Sequence, residues 1–315
     1  MAASIPTDIE AVLKKFDSDV EQMVKDALDG HEAPATIYHY TNDVGLKGIL
    51  ESGRLWLTDI FNLNDPSELR HGFHGIIEAW KGKGFYGWAE AEGIAAFLKY
   101  LDEDAKFREA AHLFTCSFSA DGEDLGQWRA YADDGRGYAL GFDRAALERA
   151  FIQVESPSFA QAFRIQYDND RLTDLQNKIV EKALPLIRLV GGGNLTNIMT
   201  ETAKRRLAVS SAGHALYAAT FFKHKAYRNE QEYRFLEMFS SKVTPPDVKI
   251  RTRPYSLVRY REFDWRAGAS GALKGIVVGP AADRDKAPQF ARDCLRSFHV
   301  GTVELTSSNI PYRAL

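Results

Sequence analysis

The segment Gln231–Leu236 alternates polar and apolar residues, which is the pattern of a half-buried β-strand. Side chains two positions apart on a strand share a face. Glu230, Glu232 and Arg234 are therefore expected to point the same way, with the intervening aromatic side chains in the core. Two carboxylates and a guanidinium on one strand face are costly to bury without a ligand or a network of salt bridges. The alternative is an edge strand at the surface with an ordinary ion pair.

Apolar residues recur at helical spacing between Thr7 and Gly30, which predicts an amphipathic helix within the N-terminal residues 1–30. Thr7 and Glu10 have the spacing of a capping box at the start of this helix. The helix is expected either to pack on the rest of the chain or to form a homodimer by pairing with another subunit.

Shorter patterns mix strands and helices irregularly through the rest of the chain. Strands are predicted at residues 36–40, 54–58, 113–118, 137–142, 163–167, 231–236, 248–251, 255–260, 273–278 and 302–305. Residues 170–224 have a helical pattern, interrupted by a glycine run at 191–193. Because this run does not follow a strand, it is predicted to be an ordinary loop rather than a phosphate-binding loop. The irregular mixture predicts an α+β fold and not a regular βαβ series.

The composition favours a soluble globular protein with a complete core, since 45% of the 315 residues are hydrophobic and 26% are charged. The net charge of −3 means that any contact with nucleic acid needs a local basic patch. The two cysteines, Cys116 and Cys294, exclude a disulfide framework and a cysteine-based zinc site and fit a reducing cytoplasm. The sequence shows neither a signal peptide nor a membrane-spanning apolar run, so we expect a cytoplasmic protein without membrane contact.

Four segments place polar residues beside aromatic residues at predicted strand ends. In the first, His39 and Thr41 share a strand face, and they are either structural hydrogen-bonding residues or contacts for a ribose or a phosphate. In the second, Asn64 and Asp65 precede a proline, a composition that turn formation alone also explains.

The third segment pairs Trp128 with Tyr131 one helical turn apart, which is either core packing or an aromatic wall for a planar ring. The fourth is the pair of carboxylates, Glu230 and Glu232. A further stretch mixes basic and aromatic residues: Lys249, Arg251, Arg253, Tyr255, Arg259, Tyr260 and Arg261. Such mixtures suit phosphate contacts and base stacking, and a solvated strand face is the alternative.

In chain order these segments form the motifs His39-Tyr40-Thr41, Phe61-Asn62-x-Asn64-Asp65-Pro66-x-Glu68, Ser117-Phe118-Ser119, Trp128-x-x-Tyr131-Ala132 and Glu230-x-Glu232-Tyr233-Arg234. The series resembles a bacterial domain-of-unknown-function family from about residue 37 to residue 312. That family is similar to a distant branch of the ADP-ribosyltransferase superfamily, especially its DNA-modifying toxins and the RNA 2′-phosphotransferases. The resemblance implies a split, mixed β-sheet core of ADP-ribosyltransferase type. It also implies a single domain over residues 31–315 with a helical insertion at about 170–224.

The resemblance implies a role for each matching residue. His39 would hold the NAD ribose, assisted by Tyr40 or Thr41. Glu232 would be the catalytic glutamate and would stabilise the positive charge that develops as the nicotinamide bond breaks. Glu230 would select or deprotonate the acceptor. Arg234 is expected to pair with a carboxylate and hold the strand rather than to contact the substrate.

Further cofactor-binding residues are implied on two other segments. Asn64, Asp65 and Arg70 would lie on a loop over the cofactor, with Arg70 as a bidentate donor to the pyrophosphate. Three residues compete for the position that lines the nicotinamide pocket: Ser117, Ser119 and Tyr131.

The implied function is NAD-dependent ADP-ribosyl transfer by a bacterial toxin or anti-phage defence effector. NAD would be a substrate, no metal would be needed, and nucleic acid is a slightly better candidate acceptor than protein. A neutralising antitoxin or a defence-system protein would be a partner. Two alternatives stay open: a non-catalytic nucleotide-binding protein with the same fold, and a metal-dependent nuclease or phosphotransferase.

Overall fold

The structure, a computed structural model, describes residues 6–29, 33–63, 67–83, 112–152, 158–192, 197–239 and 243–314 of the chain. These residues form an α+β fold with several helices and an open, mixed, mostly antiparallel sheet. The chain divides into two compact units. The first comprises Met1–His31, Asn64–Ala110 and Gln166–Lys225, and the second comprises Glu32–Leu63, Ala111–Ile165 and Ala226–Leu315.

The helices are α1 (Thr7–Leu28), α2 (Asp43–Ser52), α3 (Ser67–Gly82), α4 (Leu125–Tyr131), α5 (Arg144–Ile152), α6 (Asn169–Gly192), α7 (Asn197–Ala219), α8 (Trp265–Gly268) and α9 (Lys286–Ser297). Short 3-10 helices span Ile60–Asn62 and Lys225–Glu230. The strands are β1 (Thr36–Thr41), β2 (Arg54–Asp59), β3 (His112–Ser119), β4 (Tyr138–Asp143), β5 (Ser158–Arg164), β6 (Glu232–Phe239), β7 (Lys249–Arg253), β8 (Ser256–Asp264), β9 (Leu273–Val278) and β10 (Glu304–Ser307). Among the described helices, none combines the length and the apolar character that crossing a bilayer requires.

The described part of the first unit is helical, and its helix α1 confirms the amphipathic helix predicted at the N-terminus. Its apolar side chains recur at helical spacing and are buried against α6 and α7 of the same unit. The predicted capping box is wrong, because the helix begins after Pro6 without a side-chain cap and Thr7 is already helical. The Glu10 carboxylate instead forms an ion pair with Arg206 of α7. A homodimer through α1 stays a prediction.

The second unit contains the sheet, in the order β10-β9-β4-β1-β3-β2-β8-β7, with β6 on β3 and β5 on β6. Strand β3 is the branch point. One of its edges pairs with β6 along its whole length. Its other edge meets β1 at Ser119 and β2 at Thr115 and Phe114, so β1 and β2 diverge between those positions. The sheet therefore splits beside Cys116–Phe118.

Alternation along the strands places the main core of the second unit on one face of the sheet. Tyr233 and Phe235 of β6 lie in this core, as predicted, together with Cys116 and Phe118 of β3. Ile37 of β1 joins the same cluster. The side chains at the alternate positions of β3 and β6 therefore point to the opposite face.

The predicted strand at 163–167 is displaced, because the observed β5 covers Ser158–Arg164. Its register is set by antiparallel pairing with β6, from Ser158 opposite Phe239 to Arg164 opposite Tyr233. The residues of β5 are not strongly apolar, so hydrophobic alternation alone gave the wrong boundaries. In the helical region, α6 continues through two of the glycines predicted to be a loop and ends at Gly192.

Candidate functional site

Ser117 lies on β3 where the sheet splits, and two residues from distant parts of the chain contact it. Its side chain is exposed, whereas its neighbours on the strand, Cys116 and Phe118, are buried in the core. The Ser117 hydroxyl donates a hydrogen bond of 2.6 Å to Glu232 Oε1. The Ser117 carbonyl is 3.2 Å from His39 Nδ1 and accepts a hydrogen bond from it. Three of the predicted site residues therefore meet at Ser117.

Glu232 is the first residue of β6 and lies opposite Ser119 in the sheet register. Arg234, two residues later on the same face, donates from Nε to Glu232 Oε1 at 2.7 Å and from Nη2 to Oε2 at 3.2 Å. Both side chains are buried, and pairing of this bidentate kind is what makes buried opposite charges tolerable. The prediction that Arg234 pairs with a carboxylate is confirmed. The edge-strand alternative is wrong, because β6 lies between β3 and β5.

His39 lies on β1 with its ring half-buried, and its ring packs edge-on against Phe118 at a centroid distance of 5.6 Å. Burial lowers the pKa of the His39 imidazole, and the hydrogen bond to the Ser117 carbonyl opposes this shift. A carbonyl oxygen can only accept, so the proton of the neutral ring lies on Nδ1. Nε2 is then a hydrogen-bond acceptor, which suits contact with a hydroxyl group.

His39 and Glu232 reach Ser117 from different sides. The His39 ring packs against Phe118, which belongs to the core face, and contacts Ser117 through the backbone. Glu232 contacts the Ser117 side chain, which points to the opposite face of β3. The structure therefore links the imidazole and the carboxylate through one serine and does not bring them into direct contact.

Ser119 and Glu230 fix the loop that follows β3. The buried Ser119 hydroxyl donates to the Glu230 carbonyl at 2.9 Å and accepts from the Asp121 amide at 3.1 Å. Glu230 ends a 3-10 helix, and the next residue, Gln231, has a φ of 45°. The expectation that Glu230 shares a strand face with Glu232 is therefore wrong, because the chain bends between them. Ser119 has a positioning role here, in contrast to the exposed Ser117.

Tyr40 and Trp128 form a buried aromatic pair beside the same loop. Their rings meet edge to face at 4.8 Å, and the Trp128 side chain is 0% exposed, which favours core packing over an aromatic wall for a ligand. The Tyr40 hydroxyl donates to the Asp121 carbonyl at 2.7 Å and accepts from the Asp124 amide at 3.1 Å. Burial raises the pKa of this hydroxyl. Tyr40 thus holds the loop and is not a solvent-facing contact.

The anchoring of this loop by Tyr40 was not predicted from the sequence. A tyrosine in a buried strand position needs a hydrogen-bond partner for its hydroxyl. The sequence could therefore have predicted such a partner for Tyr40. Asp124 also caps α4, accepting a hydrogen bond from the Gln127 amide at 2.7 Å. Tyr131, at the end of α4, is 43% exposed.

The structure describes the remaining predicted contacts only in part. Thr41 is half-buried over the first turn of α2, where a Cβ added at Gly45 would be 1.8 Å from Thr41 Oγ1. Asn64 and Asp65 lie outside the described residues. Arg70 belongs to α3 of the first unit, and its side chain is likewise outside the described part.

The described residues contain no group of three or more His, Cys, Asp or Glu side chains that could hold a metal ion. A cavity of about 630 Å³ lies in the second unit, between the first turns of α2 and α9 and the segment that precedes β4. Its lining includes Asp43, Arg136, Tyr138 and Lys286, and none of the predicted site residues. The cavity is therefore separate from the cluster at Ser117.

Comparison with known proteins gives one match. A family model described as "Protein of unknown function (DUF2971)" matches residues 127–235, about a third of the chain. The matched residues include Tyr131 and Glu232, whereas His39 and Ser117 lie before them. No curated protein and no solved structure matches the chain. The match agrees with the predicted resemblance to a domain-of-unknown-function family, and the relationship to ADP-ribosyltransferases stays a prediction.

Proposed function

We propose that the protein is an NAD-dependent ADP-ribosyltransferase with Glu232 as its catalytic residue and NAD as its substrate. The observation that supports this most is the pair of hydrogen bonds that joins His39, Ser117 and Glu232 where β1 and β2 diverge. A first-strand histidine, a middle serine and a late glutamate are the residue types that the resemblance assigns to the NAD site. The divergence of the strands is also what a split-sheet core of ADP-ribosyltransferase type requires.

In the proposed reaction, the bond between the nicotinamide nitrogen and the ribose carbon breaks, and its electron pair leaves with nicotinamide. The ribose carbon becomes positively charged and then bonds to a nucleophilic atom of the acceptor, which loses a proton. Glu232 would stabilise the positive charge electrostatically. Glu230, which lies next to β6, would take the acceptor proton.

His39 and Ser117 would orient the ribose where β1 and β2 diverge. Because their side chains lie on opposite faces of the sheet, Ser117 would contact the ribose from the face that carries Glu232, and His39 would contact it through the gap between the two strands. The Nε2 lone pair of a neutral imidazole can accept a hydrogen bond from a ribose hydroxyl. The exposed Ser117 hydroxyl donates to Glu232, and its oxygen can accept from a ligand hydroxyl or amide at the same time. A hydrogen-bond donor of the ligand at Ser117 would then be stabilised by the negative charge of the Glu232 carboxylate. The carboxylate would keep its contact with Arg234.

The biological setting in this proposal is a cytoplasmic bacterial toxin or anti-phage defence effector. Its acceptor would be nucleic acid or protein, and a neutralising antitoxin or another defence protein would control it. These assignments rest on the resemblance of the sequence motifs and on the glutamate–serine–histidine arrangement.

The proposal is tested by incubating the purified protein with labelled NAD and either nucleic acid or a cell lysate. We expect release of nicotinamide together with transfer of the label to one class of macromolecule. A protein that neither releases nicotinamide nor transfers label, whatever acceptor is supplied, would not be a transferase.

A second candidate function is nucleotide binding without turnover, and the bidentate contact between Arg234 and Glu232 favours it. A guanidinium at 2.7 Å offsets the negative charge that the reaction would use. This candidate predicts saturable binding of NAD, measured by isothermal titration calorimetry, with no nicotinamide released over the same period.

A further inference from the structure

The hairpin of β7 and β8 is an arginine-rich and aromatic surface at the far edge of the sheet from β10. β7 pairs with β8 only, so its outer edge has no strand partner among the described residues. Alternation places Lys249, Arg251 and Arg253 on one face of β7. This is the basic and aromatic stretch of the sequence, and the NAD site proposed at Ser117 does not use it.

The cations on this face differ in their partners. Lys249 is 2.8 Å from the Glu262 carboxylate. Arg251 and Arg253 have no carboxylate partner in the part of the chain that the structure describes. Arg251 contacts Thr58 Oγ1 at 3.3 Å, and Arg253 donates to the Asn62 carbonyl at 2.8 Å. These oxygens carry no formal charge, so the described residues leave two positive charges uncompensated on one strand face.

The positive charges of Arg251 and Arg253 also repel each other. Burial lowers the pKa of Arg251, and the charge of Arg253 lowers it further. Arg251 Nε is buried and has no hydrogen-bond partner among the described residues. An anion bound at the accessible part of the two guanidiniums would relieve this repulsion.

Aromatic side chains lie beside these arginines. Trp56 of β2 is 45% exposed, and its ring is 5.2 Å from the Arg251 guanidinium and 4.6 Å from the Tyr260 ring. Tyr255, at the tip of the hairpin, is fully exposed. Its φ of 60° is a left-handed conformation that bulky residues seldom adopt, so the turn would be less strained with glycine. The exposed ring of Tyr255 on this turn is available for stacking.

We propose that this face of the β7–β8 hairpin binds single-stranded nucleic acid. Phosphates of the nucleic acid would contact Arg251 and Arg253, and a base would stack on Tyr255. The exposed part of Trp56 would lie next to the sugar–phosphate backbone. Stacking and phosphate contacts read no base edge, so binding would tolerate different sequences. The proposal names the acceptor class of the proposed transferase and rests on that function only in this respect, because binding needs no NAD.

Binding is tested by fluorescence anisotropy with labelled oligodeoxythymidine and oligouridine, in the absence of NAD and over a range of salt concentrations. We expect saturable binding of a single strand. The double variant Arg251→Gln/Arg253→Gln should bind at least about tenfold more weakly, with the slope of log affinity against log salt reduced by about 1.4. The matched control is Arg292→Gln/Arg296→Gln, two exposed arginines of α9 in the same unit, which should bind like the wild type.

Tyr255→Gly tests stacking without weakening the turn, because glycine adopts a φ of 60° readily. We expect affinity to fall about tenfold, while thermal unfolding stays the same or moves to higher temperature. Absence of binding by the wild type, or equal binding by the arginine double variant, would overturn the proposal. Poly-glutamate binding as tightly as the oligonucleotides would identify an acidic peptide surface instead. Self-association in sedimentation that the same variants abolish would identify a second copy of the chain.

The two proposals fail independently. Glu232→Gln should lower nicotinamide release about a hundredfold or more and leave oligonucleotide binding unchanged. Arg251→Gln/Arg253→Gln should weaken oligonucleotide binding and leave unchanged the nicotinamide release measured without nucleic acid, in which water takes the place of the acceptor. Loss of nicotinamide release in the arginine variant would place the hairpin in the NAD site. That result would contradict the proposal that the hairpin binds single-stranded nucleic acid.

Discussion

Ser117 and Glu232 are joined by a hydrogen bond of 2.6 Å from an exposed hydroxyl to a buried carboxylate. The carboxylate belongs to an ion pair inside the sheet, and the hydroxyl faces outward where two strands diverge. Ser117 is therefore the point at which the buried charge of Glu232 becomes accessible from solvent.

Ser117→Ala should impair nicotinamide release much more than it impairs folding. The exposed hydroxyl contributes little to stability, whereas its removal separates the ligand from the Glu232 charge. We expect a loss of about tenfold to a hundredfold in kcat/KM, measured by nicotinamide release. Ser119→Ala is the matched control. It removes two contacts to buried backbone groups and should destabilise the fold by about 1 kcal/mol, with a smaller effect on turnover.

Arg234→Leu should be strongly destabilising, because it leaves the Glu232 carboxylate buried without its cation. Breaking one side of a buried pair costs about 3–5 kcal/mol, whereas replacing both partners by apolar residues is often nearly neutral. We therefore expect the double variant Arg234→Leu/Glu232→Leu to recover much of the lost stability in urea unfolding. If Arg234→Leu were as stable as the wild type, Arg234 would not offset the cost of burying the Glu232 charge.

The pH dependence of stability should carry a contribution from His39. Its imidazole has a pKa below the ordinary value of 6.5 because burial disfavours the charged form. The unfolded chain therefore binds the proton more readily than the folded protein. The contribution of His39 is complete above about pH 6.5 and is lost as the pH falls from there through the folded pKa.

This effect is measured as the free energy of unfolding in urea at a series of pH values. The wild type should lose more stability than His39→Gln between about pH 7 and pH 5, since glutamine does not titrate. Parallel pH curves for the two proteins would show that the ring is equally protonated in the folded and unfolded states.

Cys116 should resist alkylation in the folded protein. Burial and the nearby Glu232 charge raise the pKa of its thiol to about 12, so very little reactive thiolate exists at about pH 8. Iodoacetamide should modify it readily in urea and barely at all without denaturant, as followed by peptide mass spectrometry. Rapid labelling of the native protein would show that the interior of β3 opens on the timescale of the reaction.

The sequence predicted the local features of the site better than its assembly. Alternation along residues 231–236 was enough to place Tyr233 and Phe235 in the core and to expect a carboxylate partner for Arg234. The same alternation failed at Glu230, because the left-handed Gln231 bends the chain, and no residue pattern signals a non-glycine residue at that φ. Propensity rules describe the backbone conformation that a residue prefers. The conformation of Gln231 departs from that preference because of tertiary contacts.

The meeting of His39, Ser117 and Glu232 could not be derived from local patterns. The contacts span 78 and 115 residues of sequence, and they depend on strand order and on the divergence of β1 from β2. Trp128 was equally ambiguous, since a helical pair of aromatic residues is compatible with core packing or with an exposed wall. Its contact with Tyr40 and its complete burial favour core packing.

A comparison of two glutamates on one strand tests whether Glu232 is a catalytic residue. Glu237, also on β6, is buried and paired with Arg261 at 2.8 Å, so Glu237→Gln removes a similar ion pair from the opposite face of the sheet. With both variants shown to be folded by circular dichroism, nicotinamide release from labelled NAD should fall about a hundredfold or more in Glu232→Gln and stay near the wild-type rate in Glu237→Gln. Equal rates in the two variants and the wild type, or no nicotinamide release from any of them, would contradict the claim.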